Sequence, residues 1–185
     1  GPFYFSFQID DSYFIFLDTT GHSPEPWQKT WLKGELKNSL HYNNRFLIMN
    51  RPPVKVNVDY LLDEETKYIQ EQQERNYYQD IFAKYNVTSV FSSNLEIYEK
   101  KSFNDIPYFI SGGAGGTMIL DNPRSFYHYL KIQVTPEGVS YDVKKVSKEF
   151  GFLNPKVAKF IENVWIFLQS FMYTNYTTVL LILVI

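Results

Sequence analysis

The sequence contains no cysteine and only three histidines among its 185 residues. The lack of cysteine excludes disulfide bonds, a thiol nucleophile and cysteine-ligated metal sites. His22, His41 and His128 are far apart, and none stands in a short metal-binding spacing such as two histidines one helical turn apart. The motifs that most often mark a zinc centre are therefore missing from the sequence.

The chain also has no excess of positive charge. Eighteen Lys and Arg residues and 20 Asp and Glu residues give a formal net charge of −2, so we expect no nucleic-acid partner. Aromatic residues are abundant instead, with 15 Tyr, 16 Phe and 3 Trp making up 18% of the chain. Because aromatic side chains bury large areas and favour strands, this composition predicts a β-rich core.

The first half of the chain combines strand and helix patterns. Two aromatic runs at 3–9 and 13–18 flank a polar turn and predict a β-hairpin. A helix is predicted over 27–40, and a polar helix over 63–84 would begin at a capping Asp63. The apolar face of the first helix is expected to consist of Trp27, Trp31, Leu32, Leu36 and Leu40.

The remaining elements are short strands. They are predicted over 45–49, 89–91, 95–98 and 106–110, from apolar runs bounded by turn residues. A last hairpin is predicted over 126–135 and 139–146, because both segments alternate around a Pro-Glu-Gly turn. Strands interleaved with helices predict an α/β (α+β) fold.

The C-terminal segment differs from the rest because residues 163–185 include no charged side chain. At about 1.5 Å per residue, a helix of this length roughly spans a bilayer core. We therefore predict a linker at 151–162 and a transmembrane helix at 163–185, acting as a single-pass C-terminal membrane anchor on an undetermined side. The alternative is a buried C-terminal helix or strand, since Gln169, Ser170 and several Thr and Asn residues dilute the apolar character.

Five short segments follow one another in an order known from one enzyme family. A strand ends in Leu17-Asp18-Thr19, a Gln-x-x-Trp-Leu helix follows at 28–32, and the next strand closes with Asn50-Arg51-Pro52-Pro53 where the family has His-x-Pro-Pro. Residues 90–98 match Val-Phe-Ser-Gly-His-x-His-x-Tyr, and a glycine-rich turn occupies 111–116. The chain thus resembles the C-terminal half of a calcineurin-like metallophosphoesterase domain of the purple acid phosphatase branch.

The resemblance implies a β-sandwich with flanking helices, of which residues 1–150 would form the second half. It also implies a site for two divalent metal ions (Mn, Fe or Zn), which bind the phosphate oxygens and generate the attacking hydroxide. The family's first-half ligand motifs have no counterpart before Phe3. We therefore expect the missing N-terminal half, or a partner chain, to cover the exposed edge of the sheet.

The metal-ligand positions carried over from the family hold different residues here. They are Asn50, Asn94 and Glu96, and each replaces a histidine of the family pattern. Imidazole nitrogen binds Zn, Fe and Mn well, whereas an amide oxygen is a weak neutral ligand. The replacements indicate an empty site without a cofactor. The alternative is a rebuilt site, in which the same three residues hold Mg²⁺ or Ca²⁺.

Two functions follow from these departures. One is a phosphoesterase-family domain that has lost catalysis, has no catalytic residues and serves as a membrane-tethered interaction or structural module. The other is the C-terminal part of an active metal-dependent phosphatase or phosphodiesterase, whose N-terminal half carries most metal ligands. The sequence favours the first, since all three second-half histidines are replaced at once.

Overall fold

The computed structural model describes residues 3–20, 26–56, 68–114, 118–119, 122–146 and 155–174. The chain divides into two compact units, Gly1–Val146 and Ser147–Ile185. Within these ranges, the first unit contains two α-helices, a short 3₁₀ helix and two sheets, and the second contains one α-helix.

A six-stranded sheet organises the first unit, in the order β1-β2-β3-β4-β6-β5. Strands β2, β3, β4 and β6 run parallel to one another, and β1 and β5 pair antiparallel at the two edges. A separate antiparallel ribbon pairs β7 with β8. The strands are β1 Phe5–Ile9, β2 Ser12–Leu17, β3 Asn44–Met49, β4 Ser89–Ser92, β5 Tyr98–Phe103, β6 Ile106–Ser111, β7 His128–Thr135 and β8 Gly138–Lys145.

Two helices supply the crossovers that parallel strands require. Helix α1, Pro26–Asn38, leads from β2 to β3 through a short 3₁₀ turn at Ser39–His41, and α2, Gln72–Lys84, leads from β3 to β4. Both helices contribute to the main hydrophobic core together with side chains from one face of the sheet. Its most buried members include Ile15, Leu32, Leu36, Leu47, Tyr78, Phe82, Val90 and Tyr108.

The other face of the sheet is a row of aromatic rings. Alternation along each strand directs these side chains away from the helices. Ring centroids lie 4.5 Å apart for Phe5 and Phe16, and 5.1 Å apart for Phe14 and Phe46. At the far end, Tyr141 of β8 lies 4.6 Å from the ring of Phe109. We call this surface the aromatic face; it consists of Phe5, Phe7, Phe14, Phe16, Phe46, Phe91 and Phe109.

The structure confirms the N-terminal hairpin and the last hairpin, but it corrects the apolar face of α1. Leu32 and Leu36 are buried as predicted, whereas Trp27 is 60% exposed and Leu40 is 54% exposed. The helix instead buries Gln28, whose side-chain amide donates to the carbonyl of Asp18 and whose oxygen accepts from the Asp18 amide. Leu40 does not belong to the buried face of α1 because the α-helix ends at Asn38, before this residue.

The predicted strand at 95–98 is also wrong. Leu95 and Ile97 are buried, but they lie in an irregular segment, and β5 begins only at Tyr98. The alternation of buried and less buried residues, which is typical of a strand, occurs here in a segment that bends. The β5–β6 hairpin was missed, although Asn104 and Asp105 both have positive φ, as a two-residue hairpin turn requires. Helix α2 begins at Gln72, and the predicted cap Asp63 lies outside the described residues.

The second unit contains helix α3, Pro155–Thr174, which begins within the range predicted as a linker. Large apolar side chains on this helix are exposed, including Phe160, Trp165, Phe167 and Phe171. Within the described ranges, no helix has the length and apolar character needed to cross a membrane. Residues 175–185 of the predicted transmembrane helix lie outside the described residues.

A matched pair of leucines tests the assignment of the core. Leu36→Ala removes a fully buried side chain, so we expect a loss of about 2–5 kcal/mol in the free energy of unfolding. Leu40→Ala removes an exposed side chain and should change it by less than about 0.5 kcal/mol. Urea unfolding followed by circular dichroism measures both. Equal losses would place Leu40 in the core and contradict this packing.

Tyr108 predicts a loss of stability at alkaline pH. Burial raises the pKa of its hydroxyl well above the ordinary value, and this hydroxyl has no hydrogen-bond partner in the described part of the chain. The unfolded chain releases the proton near pH 10 while the folded chain keeps it, so stability present below pH 10 is lost as the pH rises above it. Tyr108→Phe should therefore flatten the alkaline decline and cost at most about 1 kcal/mol at pH 8. An unchanged alkaline limb in urea unfolding from pH 8 to 11 would contradict this assignment.

Candidate functional site

The parallel strands bring four polar residues together at one edge of the sheet. Leu17 pairs with Met49, Met49 with Ser92, and Ser92 with Ile110. The residues that directly follow these four paired positions therefore form a row across the sheet. They are Asp18, Asn50, Ser93 and Ser111. Adjacent strands are about 4.8 Å apart, so neighbours in the row are close. Open α/β sheets bind ligands outside the carboxyl ends of their strands, so this carboxyl-end row is the candidate site.

Hydrogen bonds fix the first part of the row. The Asp18 carboxylate accepts from the backbone amide of Thr20 at 3.0 Å and from its hydroxyl at 2.6 Å. The backbone amide of Arg51 donates to the Thr19 hydroxyl at 2.7 Å, which joins the ends of β2 and β3. The carboxylate of Asp18 is thus held locally by its own turn.

The structure places two of the three predicted ligand positions, Asn50 and Asn94, at this edge. Asn50 follows β3 directly, and its carbonyl accepts from the backbone amide of Ser93 at 3.3 Å. Asn94 follows Ser93 in the turn after β4. Glu96 lies between buried Leu95 and Ile97, and its carbonyl accepts from the Ser125 hydroxyl at 2.7 Å. The ends of two adjacent parallel strands thus bring Asn50 and Asn94 to one edge.

Each of these positions carries an oxygen donor in place of an imidazole. Two amide oxygens and one carboxylate do not match the imidazole nitrogens through which a Zn, Fe or Mn centre of the family would be held. Among the described residues, no group of three or more His, Cys, Asp or Glu side chains is arranged to hold a metal ion. The two divalent ions implied by the resemblance therefore do not fit the residues present in this half of the fold.

A serine–histidine pair ends the row and was not predicted. Nε2 of His128 lies 3.0 Å from the Ser111 hydroxyl, and Nδ1 lies 2.7 Å from the carbonyl of Phe126. A carbonyl can only accept, so Nδ1 carries the proton and Nε2 accepts from Ser111. His128 is 2% exposed and is flanked by the rings of Tyr98 and Phe126. The imidazole of His128 is therefore packed among aromatic rings.

Two glycines make this approach possible. A Cβ on Gly113 would lie 2.2 Å from Nδ1 of His128, and one on Gly112 would lie 1.8 Å from the carbonyl oxygen of Leu95. Side chains at either position would displace the end of β6 from the segments beside it. The glycine-rich turn therefore allows neighbouring segments to pack closely against the end of β6. Its glycines are the feature of the sequence that indicates the contact with His128.

His41 does not contribute to the row. His41 is exposed in the 3₁₀ turn after α1 and contacts the ring of Tyr42, with centroids 4.8 Å apart. His22 lies outside the described residues.

An apolar groove adjoins the row on the aromatic face. Its volume is about 460 Å³, and its walls include Phe7, Phe14, Phe16 and Phe91. Ser92, Ser93 and Ser111 line the groove, so it reaches the carboxyl-end row. The edge with polar residues and the aromatic face therefore meet at the ends of β4 and β6.

Solved structures share this fold at low sequence identity. Over 85% of the chain, it superposes on 58% of GAP50, the anchor in the inner membrane complex of Plasmodium, with a TM-score of 0.53 and 14% identity. It superposes over 77% of its length on 30% of the purple acid phosphatase PPD1 from yellow lupin, with a TM-score of 0.55 and 11% identity. A putative 5′-nucleotidase of Staphylococcus aureus matches more weakly, with a TM-score of 0.43 and 11% identity over 82% of this chain and 31% of that one.

The structural likeness establishes the fold alone. The mixed α/β architecture is consistent with the metallophosphoesterase fold, and the chain spans 58% of the Plasmodium protein and 30% of the lupin enzyme. No family model matches this sequence, and no curated protein does.

Two glycine substitutions test the packing at the end of β6. Gly113→Ala should destabilise the fold, because the added Cβ would overlap His128 and the Phe126 carbonyl, and overpacking typically costs about 1–3 kcal/mol. Gly34→Ala is the matched control: nothing lies within 4 Å of its Cβ, and alanine in a helix interior should add up to about 1 kcal/mol. Thermal unfolding compares the two variants, and a neutral Gly113→Ala would show that His128 is not held against this turn.

Proposed function

We propose that this chain is the second half of a phosphoesterase-fold domain that has lost metal-dependent catalysis and serves as a membrane-tethered interaction or structural module. The observation that carries the proposal is the donor set at the carboxyl-end edge. Asn50, Asn94 and Glu96 stand where the resembled family has histidines. Asn50 and Asn94 follow adjacent parallel strands whose ends lie at one edge of the sheet, and Glu96 comes two residues after Asn94.

Ligand chemistry supports the loss of the metal centre. Transition metals prefer imidazole nitrogen, and a neutral amide oxygen binds them more weakly. A Ca²⁺ ion takes about 6–8 oxygen ligands, more than one carboxylate and two amides supply, and a Mg²⁺ ion bound by so few protein oxygens would keep most of its waters. Without two bound ions, a phosphoester would lose both its charge neutralisation and its nucleophile.

The aromatic face supports a second proposal, that the first half of the fold packs on this side of the sheet. Phe5 and Phe7 lie on edge strand β1, and Phe5 is 50% exposed. Sheets whose central strands are parallel are normally covered on both faces. In the two neighbours with TM-scores above 0.5, this chain spans only part of the length, which leaves residues to form the second layer.

Helix α3 supports a membrane tether. From Asn163 onward it has no charged residue, and the sequence continues without one to Ile185. The exposed side chains of Trp165, Phe167 and Phe171 are an apolar surface that an interface between water and lipid would cover. The similar Plasmodium protein is described as an anchor in a membrane complex, and the proposed tether is in keeping with that role.

Metal titration of the natural protein tests the loss of catalysis. We expect no heat when Mn²⁺ or Zn²⁺ is titrated to millimolar concentration in a calorimeter, and no metal-dependent turnover of p-nitrophenyl phosphate. The control restores the family's ligands with Asn50→His, Asn94→His and Glu96→His in one variant. This variant should bind Zn²⁺ at least tenfold more tightly than the parent, since imidazole replaces the weak oxygen donors.

Each outcome decides between the two functions. Metal binding with turnover in the natural protein would make the chain part of an active phosphoesterase and would end the proposal. Failure of the triple-histidine variant to gain affinity would show that these positions do not converge, and would remove the observation on which the proposal stands.

A further inference from the structure

The helical layer has a groove of its own, on the opposite side of the sheet from the aromatic face. It lies between α1 and α2 and has a volume of about 410 Å³. Lys33 and Lys37 line it from α1, and Tyr77, Asp80 and Lys84 line it from α2, which ends beside Tyr85. Three lysines and one aspartate give the groove a net positive charge within a chain whose total is −2.

The three lysines have no ion pair within the described residues. The neighbouring Lys29 is paired with the buried Glu74, with Nζ and Oε1 3.0 Å apart. Lys33 lies over the Tyr77 ring at 5.6 Å, and Lys84 over the Tyr85 ring at 5.7 Å. The aromatic rings thus hold the ammonium groups of Lys33 and Lys84 at the groove, where no carboxylate of the described residues forms an ion pair with them.

An aromatic ring lies beside the lysines of the groove. The Tyr77 ring lines it, whereas the Tyr77 hydroxyl is buried and has no hydrogen-bond partner in the described part of the chain. The groove therefore offers ammonium donors next to an aromatic surface, with a single carboxylate acceptor.

We propose that this groove docks a short acidic segment of a protein partner. Its carboxylates would bind Lys33, Lys37 and Lys84, and an apolar side chain would pack against Tyr85 and Ile81. The proposal adds a partner class to the interaction role above and so rests on it. Its test involves neither the metal positions nor the membrane tether, so the two proposals fail separately.

Charge and shape favour an acidic peptide over an anionic membrane surface. The net charge of −2 provides no general attraction to anionic lipid, and Asp80 within the groove would repel a continuous layer of phosphates. Discrete carboxylates can be placed at the lysines and away from Asp80. A concave groove between two helices also suits a narrow peptide better than a broad surface.

Fluorescence anisotropy with a labelled peptide tests the proposal. The probe is a fluorescein-labelled Glu-Glu-Phe-Glu-Glu peptide, titrated with the whole chain in detergent at low salt. Lys37→Glu and Lys33→Glu should each weaken binding about tenfold or more, since each replaces an attraction by a repulsion. Lys55→Glu is the matched control, because Lys55 is exposed and outside the groove, and it should leave the affinity within about twofold.

Further measurements distinguish a peptide site in the groove from non-specific charge attraction and from a lipid site. Equal weakening by Lys55→Glu would reveal non-specific attraction and overturn the proposal, as would no binding at millimolar peptide. Binding to vesicles of phosphatidylcholine and phosphatidylserine that Lys37→Glu abolishes, without peptide binding, would assign the groove to membrane lipid and equally overturn it.

Discussion

The parallel pairing of β2, β3, β4 and β6 is the constraint on which the rest of the structure depends. Parallel neighbours cannot be joined by tight turns, so α1 and α2 must cross over one face of the sheet. That face becomes the main core, with Leu36 and Phe82 buried against Leu47 and Val90. Neither α1 nor α2 covers the other face, and the strands direct aromatic rings there.

The register of these strands also determines the candidate site. Because Met49 pairs with Ser92, the residues that follow them reach the same edge, and Asn50 binds Ser93 through its backbone. A chain that kept this register would keep the location of the site even after its ligands changed. The fold can therefore resemble a metallophosphoesterase while the donors at the edge differ, since the sheet is held by core packing and not by the metal.

Local patterns predicted most of the elements, and tertiary contacts decided what those patterns could not. The two hairpins and β3, β4 and β6 follow from alternation and turn residues, which act over a few positions. Segment 95–98 was mistaken for a strand, because burial of Leu95 and Ile97 by the core gives the same alternation as a sheet. Ser111 and His128 are 17 residues apart, so no local pattern links them. The one signal in the sequence is the glycine at 113, which leaves room for the His128 ring.

Helix α1 shows how one geometry serves two surfaces. Gln28, Leu32 and Leu36 are four residues apart and form the buried stripe against the sheet. Each of Lys29, Lys33 and Lys37 follows a buried residue by one position, which in an α-helix is a rotation of about 100°. The lysine stripe must therefore lie beside the core stripe, at the border where α2 packs, and Lys29 and Lys33 both reach Tyr77. Any sequence that keeps residues 28, 32 and 36 packed on the sheet also keeps residues 29, 33 and 37 facing α2. Substitutions at those three positions can therefore change the charge of the groove, whereas the core packing determines where the groove lies.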